Sequence, residues 1–365
     1  MSYFREEDNP YTLQFSYIPP RFIERQAITS FIINNYVRKV PTYRGMFITG
    51  VRGSGKTVML GDIRNKINAM EDWIAVDINP EDDLIHSVAN KLYRIPEIKS
   101  LFIKAKIDLS IMGLGVKVEN AELVAYSDDD ALEMMLEVLK KKNRKVLVTI
   151  DEITYSDNVA RFSHALSSYA NADYDIYVLM TGLKENIDRI KNKPSLTFLY
   201  RAKVNEIEML NITAISADYQ KTLKLDTGEA DRLAFESKGY SLAYQAIGYV
   251  YWNAYSRSAE LTQSQIKDIY NELDSILAEF AYDKIFEELS AKDIEVLRAI
   301  ASLIRESDDE SDIVKVADVR NKVNMSSATF ATYRERLIND GILDGKIYGC
   351  LRFSLPRLEN YVRLR

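Results

Sequence analysis

A chain of 365 residues, 47% hydrophobic and 28% charged, carries enough apolar material for two or three domains with cores of their own, and its composition is neither disordered nor fibrous. The net charge of −6 speaks against indiscriminate nucleic-acid binding. A single cysteine, Cys350, excludes an intrachain disulfide and a multi-cysteine zinc site, and two histidines, His86 and His164, give little support to a histidine metal site or a Ser-His-Asp triad. No apolar run reaches membrane-spanning length and residues 1–8 are too polar for a signal peptide, so a cytoplasmic protein with no membrane contact is expected.

Ile18-Pro19-Pro20 leads into an amphipathic stretch over 27–37, which either lies above a nucleotide base or packs as a helix on a sheet. The run Met46-Phe47-Ile48-Thr49 then predicts a strand, and it enters Gly50-Val51-Arg52-Gly53-Ser54-Gly55-Lys56-Thr57, the spacing of a phosphate-binding loop. Its glycines allow a tight turn with backbone N–H groups facing the phosphates. Lys56 neutralises phosphate charge, Thr57 offers its hydroxyl to Mg²⁺, and Val58 continues into a helix whose positive end faces the same anion.

A second strand is predicted at 73–78, followed by an insertion over about 80–125, with helices in 81–104 and a hairpin in 106–118 turning at Gly113-Leu114-Gly115. Lys145-Val146-Leu147-Val148-Thr149-Ile150 reads as a strand buried on both faces and ends in Asp151-Glu152. There Asp151 would hold Mg²⁺ and Glu152 would polarise an attacking water, which favours hydrolysis over transfer to a small molecule; a helix cap after the strand would account for Asp151 alone. A helix at 158–170 and a strand at 175–182 follow. Thr181, near that strand's end, either senses the terminal phosphate or caps the next helix. A last strand at 201–208 completes a β/α alternation that predicts an α/β fold, the parallel sheet of a P-loop NTPase with its ligand at the carboxyl ends of the strands.

Three segments are expected: an ATPase domain over 1–210, a helical lid over 211–283 broken at Asp226-Thr227-Gly228 and Lys238-Gly239, and a C-terminal domain over 284–365. The last has the order of a winged helix-turn-helix: helices at 291–305, 316–323 and 326–339, then strands at 343–347 and 350–354 around Tyr348-Gly349. Residues 290–365 carry 13 basic and 12 acidic side chains, and five of the acids lie in one run, Glu306, Asp308, Asp309, Glu310 and Asp312. On the third helix Phe330, Tyr333 and Leu337 should face inward, while Ala328, Thr332 and Glu335 form no strongly basic reading face. Arg334, Arg336, Lys346 and Arg352 are the candidates for gripping DNA phosphates, and a winged helix used for protein docking stays open beside them.

The phosphate loop, the strand ending Asp151-Glu152, the strand ending Thr181-Gly182, a lid containing Gly239-Tyr240-Ser241-Leu242-Ala243-Tyr244-Gln245 and a terminal winged helix together resemble AAA+ ATPases. Within them the chain is most similar to the origin-recognition-like and archaeal-type branch, neighbours of the STAND signalling NTPases. The resemblance implies ATP and Mg²⁺ as ligands, ATP hydrolysis and a homo-oligomer, with Lys56, Thr57, Asp151 and Glu152 matching the family's motifs directly. Arg201, after Phe198-Leu199-Tyr200, resembles an arginine that reaches a neighbouring subunit's nucleotide, although a strand-edge salt bridge explains it as well. The lid departs from the family: Tyr240, Ser241 and Leu242 stand where many members place a second-sensor arginine. Two functions follow from the resemblance, an ATPase that assembles on double-stranded DNA and a nucleotide-dependent signalling switch that docks protein partners.

Overall fold

The computed structural model describes residues 5, 8–14, 18–108, 123–258, 260–306 and 312–365. They form two units, one made of Glu24–Thr49 and Lys56–Ile207, the other of Met1–Ile23, Gly50–Gly55 and Glu208–Arg365.

In the first unit the elements are α1 (Gln26–Val37), β1 (Gly45–Thr49), α2 (Lys56–Asn68), β2 (Trp73–Ile78), α3 (Leu84–Arg94), α4 (Pro96–Lys104), β3 (Ile107–Asp108), β4 (Leu123–Val124), α5 (Asp128–Lys141), β5 (Lys145–Ile150), α6 (Asp157–Asn171), β6 (Ile176–Gly182), α7 (Lys184–Lys191), α8 (Thr197–Tyr200) and β7 (Lys203–Glu206). Five strands make one sheet in the order β2-β5-β6-β1-β7, every neighbouring pair parallel. A parallel sheet needs cover on both faces, which is why β1 and β6 are buried along their whole length and why their sequences are unbroken apolar runs. Alternate residues go to opposite sides. Met46, Ile48, Leu147 and Leu179 join a core with Ile32 and Tyr36 of α1 and Met59, Leu60 and Ile63 of α2, whereas Phe47, Val146, Val148 and Val178 join the core built with α3, α5 and α6.

The amphipathic stretch at 27–37 is therefore a helix on the sheet, anchored by the Tyr36 hydroxyl donating to the Val178 carbonyl at 2.8 Å. Most of the expected hairpin, including its Gly113-Leu114-Gly115 turn, lies outside the described residues, and β3 pairs with β4 in parallel. The last strand is shorter than expected. Residues 197–200 close into α8, so Arg201 caps a helix and β7 begins two residues later.

The second unit holds α9 (Ile212–Leu223), α10 (Thr227–Glu236), α11 (Ser241–Arg257), α12 (Gln263–Leu277), a π-helical turn at Ala278–Tyr282, α13 (Asp283–Glu288), α14 (Ala291–Glu306), β8 (Val314–Lys315), α15 (Val316–Lys322), α16 (Ser327–Asn339), β9 (Leu343–Asp344), β10 (Cys350–Phe353) and α17 (Leu358–Leu364). The breaks lie where the sequence puts them. Asp226 caps α10 through the Glu229 N–H, and Lys238 and Gly239 both take left-handed backbone, reversing the chain between α10 and α11. Gly239 has φ +71 and a Cβ there would lie 2.5 Å from the Leu210 carbonyl oxygen, so only glycine fits. β8, β10 and β9 form a small antiparallel sheet beside α14, α15 and α16. Segments 211–283 and 284–365 share one hydrophobic core, with Tyr282 buried in it where the π-helical turn meets α13. Among the described residues no helix is long and apolar enough to cross a membrane.

The N-terminal residues bind to the same unit. Tyr11 is 1% exposed and its hydroxyl donates to Asp218 at 2.7 Å, Asn9 donates to Asn253 at 2.8 Å, and the Thr12 N–H donates to Gln245 at 3.1 Å. Its ring lies on α11 at Gly248, where a Cβ would come within 2.4 Å of Tyr11 Cδ1. The hydroxyl's bond to Asp218 prevents the ring from moving away cheaply. Gly248→Ala is thus expected to destabilise the protein by about 2 kcal/mol through overpacking, read as a lower urea midpoint, and the same substitution should cost clearly less in a Tyr11→Ala background, where the ring it meets is gone.

Candidate nucleotide-binding site

Within the parallel-sheet unit, β5 lies between β2 and β6, and Asp151 follows its last residue. Both carboxylate oxygens are engaged by hydroxyls. Thr57, at the start of α2, donates to Oδ2 at 2.8 Å, and Thr181, near the end of β6, donates to Oδ1. Thr181 is fully buried, and its Oγ1 also accepts the Glu152 N–H at 2.9 Å while its carbonyl accepts the Ile153 N–H at 2.8 Å. One threonine thereby fixes the direction of the Asp151 carboxylate and the path of the chain after it. Glu152 itself is exposed and has φ +53, a left-handed conformation that costs a non-glycine residue about 1 kcal/mol. The Thr181 bond is what holds it there.

The pairing tests the fit of a divalent cation. Mg²⁺ takes one or two hard oxygen donors from a protein and completes its shell with water and phosphate oxygens, and a threonine hydroxyl 2.8 Å from a carboxylate is such a donor set. Among the described residues there is no cluster of three or more His, Cys, Asp or Glu side chains that could cage a metal without a phosphate ligand.

The loop that precedes Lys56 belongs to the other unit. Gly53 has φ +72 and Gly55 φ +90, so both sites require glycine. Its carbonyls are held by the start of α11: Arg52 O accepts from the Tyr240 hydroxyl at 2.5 Å, Gly53 O from the Leu242 N–H at 3.1 Å, and Ser54 O from the Ser241 hydroxyl at 2.8 Å. A planar peptide points its N–H opposite to its C=O, so tying these carbonyls to α11 turns the N–H groups of Gly53 and Gly55 away from that helix. The Arg52 guanidinium reaches Glu288 at 2.6 Å. Val51 is partly buried against the core of this unit, Gly50 begins the loop, Lys56 is buried, and Val58 lies in the first turn of α2. Sequence reading noticed Tyr240 to Leu242 only as a missing arginine; their hold on the loop is a long-range pairing with no local signal.

The remaining candidates are dispersed. Arg201 is exposed, makes no ion pair with the described residues, and sits in a turn pinned by Lys191, which donates to the carbonyls of Tyr200 at 2.8 Å and Ala202 at 2.6 Å. Of the C-terminal cations, Arg336 is bound to Asp293, a carboxylate only 1% exposed, with Nε at 3.1 Å, and the same guanidinium reaches Ser290 at 3.0 Å. That hydrogen-bonded carboxylate raises the Arg336 pKa, so it is a structural cation. Arg352 is paired with Asp344 at 3.0 Å; burial works to raise the Asp344 pKa, but the Lys346 N–H and then the Arg352 guanidinium hold that carboxyl below its ordinary value. Arg334 is half-buried, with its Nε enclosed and without a hydrogen-bond partner among the described residues. Lys346 is exposed in the β9–β10 turn beside the fully exposed ring of Tyr348. On α16, Phe330 and Leu337 are buried and Tyr333 is partly so, as the periodicity predicts.

A parallel sheet in this strand order, a helical segment and a C-terminal helical segment with a small sheet give the chain the fold of the origin-recognition-like AAA+ ATPases. The ORC2 protein of Aeropyrum pernix, solved as ADPNP–ADP complexes, superposes with a TM-score of 0.61 at 13% identity, over 96% of this chain and 96% of that one. Its ADP form gives 0.51 at 14% identity over the same shares. Residues 280–362 match a family described as a domain of unknown function, DUF8462. No curated protein sequence matches the chain.

The buried Thr181 hydroxyl has two partners, the Asp151 carboxylate and the Glu152 N–H, and valine keeps the shape while removing both bonds. Thr181→Val should lower stability by about 2 kcal/mol in urea unfolding, and Thr181→Ser, which retains the hydroxyl, should recover most of it.

Proposed function

We propose that the protein binds ATP with Mg²⁺ and hydrolyses it slowly, and that nucleotide state controls its assembly on double-stranded DNA. The observation that carries the nucleotide reading is the Thr57–Asp151–Thr181 network, with a phosphate-binding loop immediately ahead of Thr57. Nucleotide in the Aeropyrum ORC2 structures supports it. The loop N–H groups from Gly50 to Thr57, with Val58 continuing the helix, would receive the phosphates, and Lys56 would neutralise their charge. Mg²⁺, held by Thr57 and Asp151, would screen the terminal phosphate oxygens when bound. Glu152 accepts a proton from the attacking water as the water oxygen bonds to the γ-phosphorus, the bond between the β,γ-bridging oxygen and the γ-phosphorus breaks, and ADP leaves with that electron pair beside inorganic phosphate. Thr181 orients Asp151 and the chain at Glu152. Arg201, exposed and free of ion pairs with the described residues, is available to a neighbouring copy's nucleotide in a cytoplasmic homo-oligomer.

In this reading residues 1–210 are the ATPase domain, 211–283 the lid and 284–365 a winged helix. Lys346, Arg334 and the exposed Tyr348 are the groups that would meet a duplex. A second reading, a signalling switch that docks proteins through the same segment, is favoured by the Arg336–Asp293 and Arg352–Asp344 pairs, which leave fewer cations for phosphates.

Lys56→Ala is expected to abolish tight ATP binding, and Glu152→Gln to bind ATP at near wild-type affinity while turnover falls by about a hundredfold or more, since an amide cannot take the proton. Calorimetric binding and phosphate release measure the two separately; unchanged turnover in Glu152→Gln removes the assigned base. For the C-terminal segment, duplex binding of the full chain should weaken with salt, and Lys346→Ala should lower that salt slope by about one unit. A wild-type protein with no duplex affinity at low salt, with or without ATP, decides for the signalling switch.

A further inference from the structure

Three consecutive residues at the start of α11 supply three donors to three consecutive carbonyls of the phosphate loop: Tyr240 to Arg52, Leu242 to Gly53 and Ser241 to Ser54, at 2.5, 3.1 and 2.8 Å. Helix N-termini carry N–H groups with no intrahelical acceptor, and here the loop provides the acceptor for one of them. Tyr240 is completely buried, and burial lifts its phenol far above its ordinary pKa, so it stays a donor at every working pH. Contact is as close as packing allows, because a Cβ on Gly53 would lie 2.1 Å from the Tyr240 hydroxyl oxygen. Gly239, restricted to glycine by the Leu210 carbonyl, sets the chain direction into Tyr240. The loop has two further ties to the C-terminal part of the same unit. Arg52 is paired with Glu288, next to α14, and Val51 lies 3.4 Å from where a Cβ on Gly341 would stand, in the turn after α16.

From these contacts we infer that Tyr240 and Ser241 are positioning residues for the nucleotide: the lid sets the direction of the loop N–H groups by holding their carbonyls, and so registers nucleotide through the loop backbone in place of an arginine. The inference rests on the nucleotide-binding reading above. A carbonyl released from α11 lets its peptide plane rotate, and the N–H of that plane rotates with it. Phosphate binding and lid attachment therefore favour the same loop conformation. By linkage each strengthens the other to the same extent, and anything that moves α16 or α13 shares in the coupling through Val51 and Arg52.

The test uses the full chain with Tyr240→Phe, which keeps the ring, Ser241→Ala, both together, and Ser241→Thr as the variant that retains a hydroxyl. MgADP and MgATP affinities are measured by calorimetry, and amide exchange over 240–250 is followed with and without saturating MgADP. In the wild type nucleotide should slow exchange over 240–250. The double variant should bind MgADP about tenfold more weakly and lose that nucleotide-dependent slowing, with Ser241→Thr close to wild type. A role confined to stability would speed exchange equally with and without nucleotide and would overturn the inference. So would affinity within twofold of wild type in the double variant or, if that variant does not fold, in Ser241→Ala, while the nucleotide reading itself stands. A wild-type chain that binds neither MgADP nor MgATP removes the nucleotide reading and this inference with it.

Discussion

Asp151 sits at the end of a strand buried on both faces, and each of its oxygens accepts a hydroxyl from a neighbouring element. A carboxylate in such a place is costly unless it is hydrogen-bonded, so Thr57 and Thr181 are constrained as tightly as the aspartate. The sheet order makes the constraint possible. β6 lies between β5 and β1, Ile150 is in register with Met180, and the residue after each therefore emerges side by side with the other. The same register puts Thr181 within reach of the Glu152 N–H and stabilises the left-handed turn at that residue.

In the second unit the governing contacts run from the start of α11 to the main chain of the loop at 52–54. A phosphate-binding loop needs an unusual backbone, supplied by Gly53 and Gly55, and that backbone needs its carbonyls satisfied on the side away from the ligand. Tyr240, Ser241 and Leu242 meet the need. The position read in sequence as lacking an arginine is thus occupied by a tyrosine whose hydroxyl is bonded to the Arg52 carbonyl.

The C-terminal segment shows how charge in a composition differs from charge on a surface. Thirteen basic side chains over 290–365 read as a potential basic face. Two of the four cations singled out for DNA instead neutralise Asp293 and Asp344, and Asp293 is so deeply buried that Arg336 is part of the fold. Removing one partner of such a pair leaves a buried charge, which separates a stability role from a binding role in this helix.

What the amino-acid order determined by itself is whatever depends on near neighbours. Unbroken apolar runs mark strands covered on both faces, glycine spacing marks the phosphate loop, and Asp151-Glu152 marks the end of a buried strand, because each of these is a local backbone or periodicity requirement. Boundaries moved where a short helix competed with a strand, as at 197–200. Only the tertiary structure decided which polar groups meet. The Tyr240 hydroxyl finds Arg52 across 188 positions and Arg336 finds Asp293 across 43, and the sign of a cation's role, holding the fold or facing outward, follows from that meeting. Hydrogen bonds and ion pairs act over a few ångströms of space regardless of separation along the chain, so their partners are set by the packing of whole elements and leave no trace in sequence spacing.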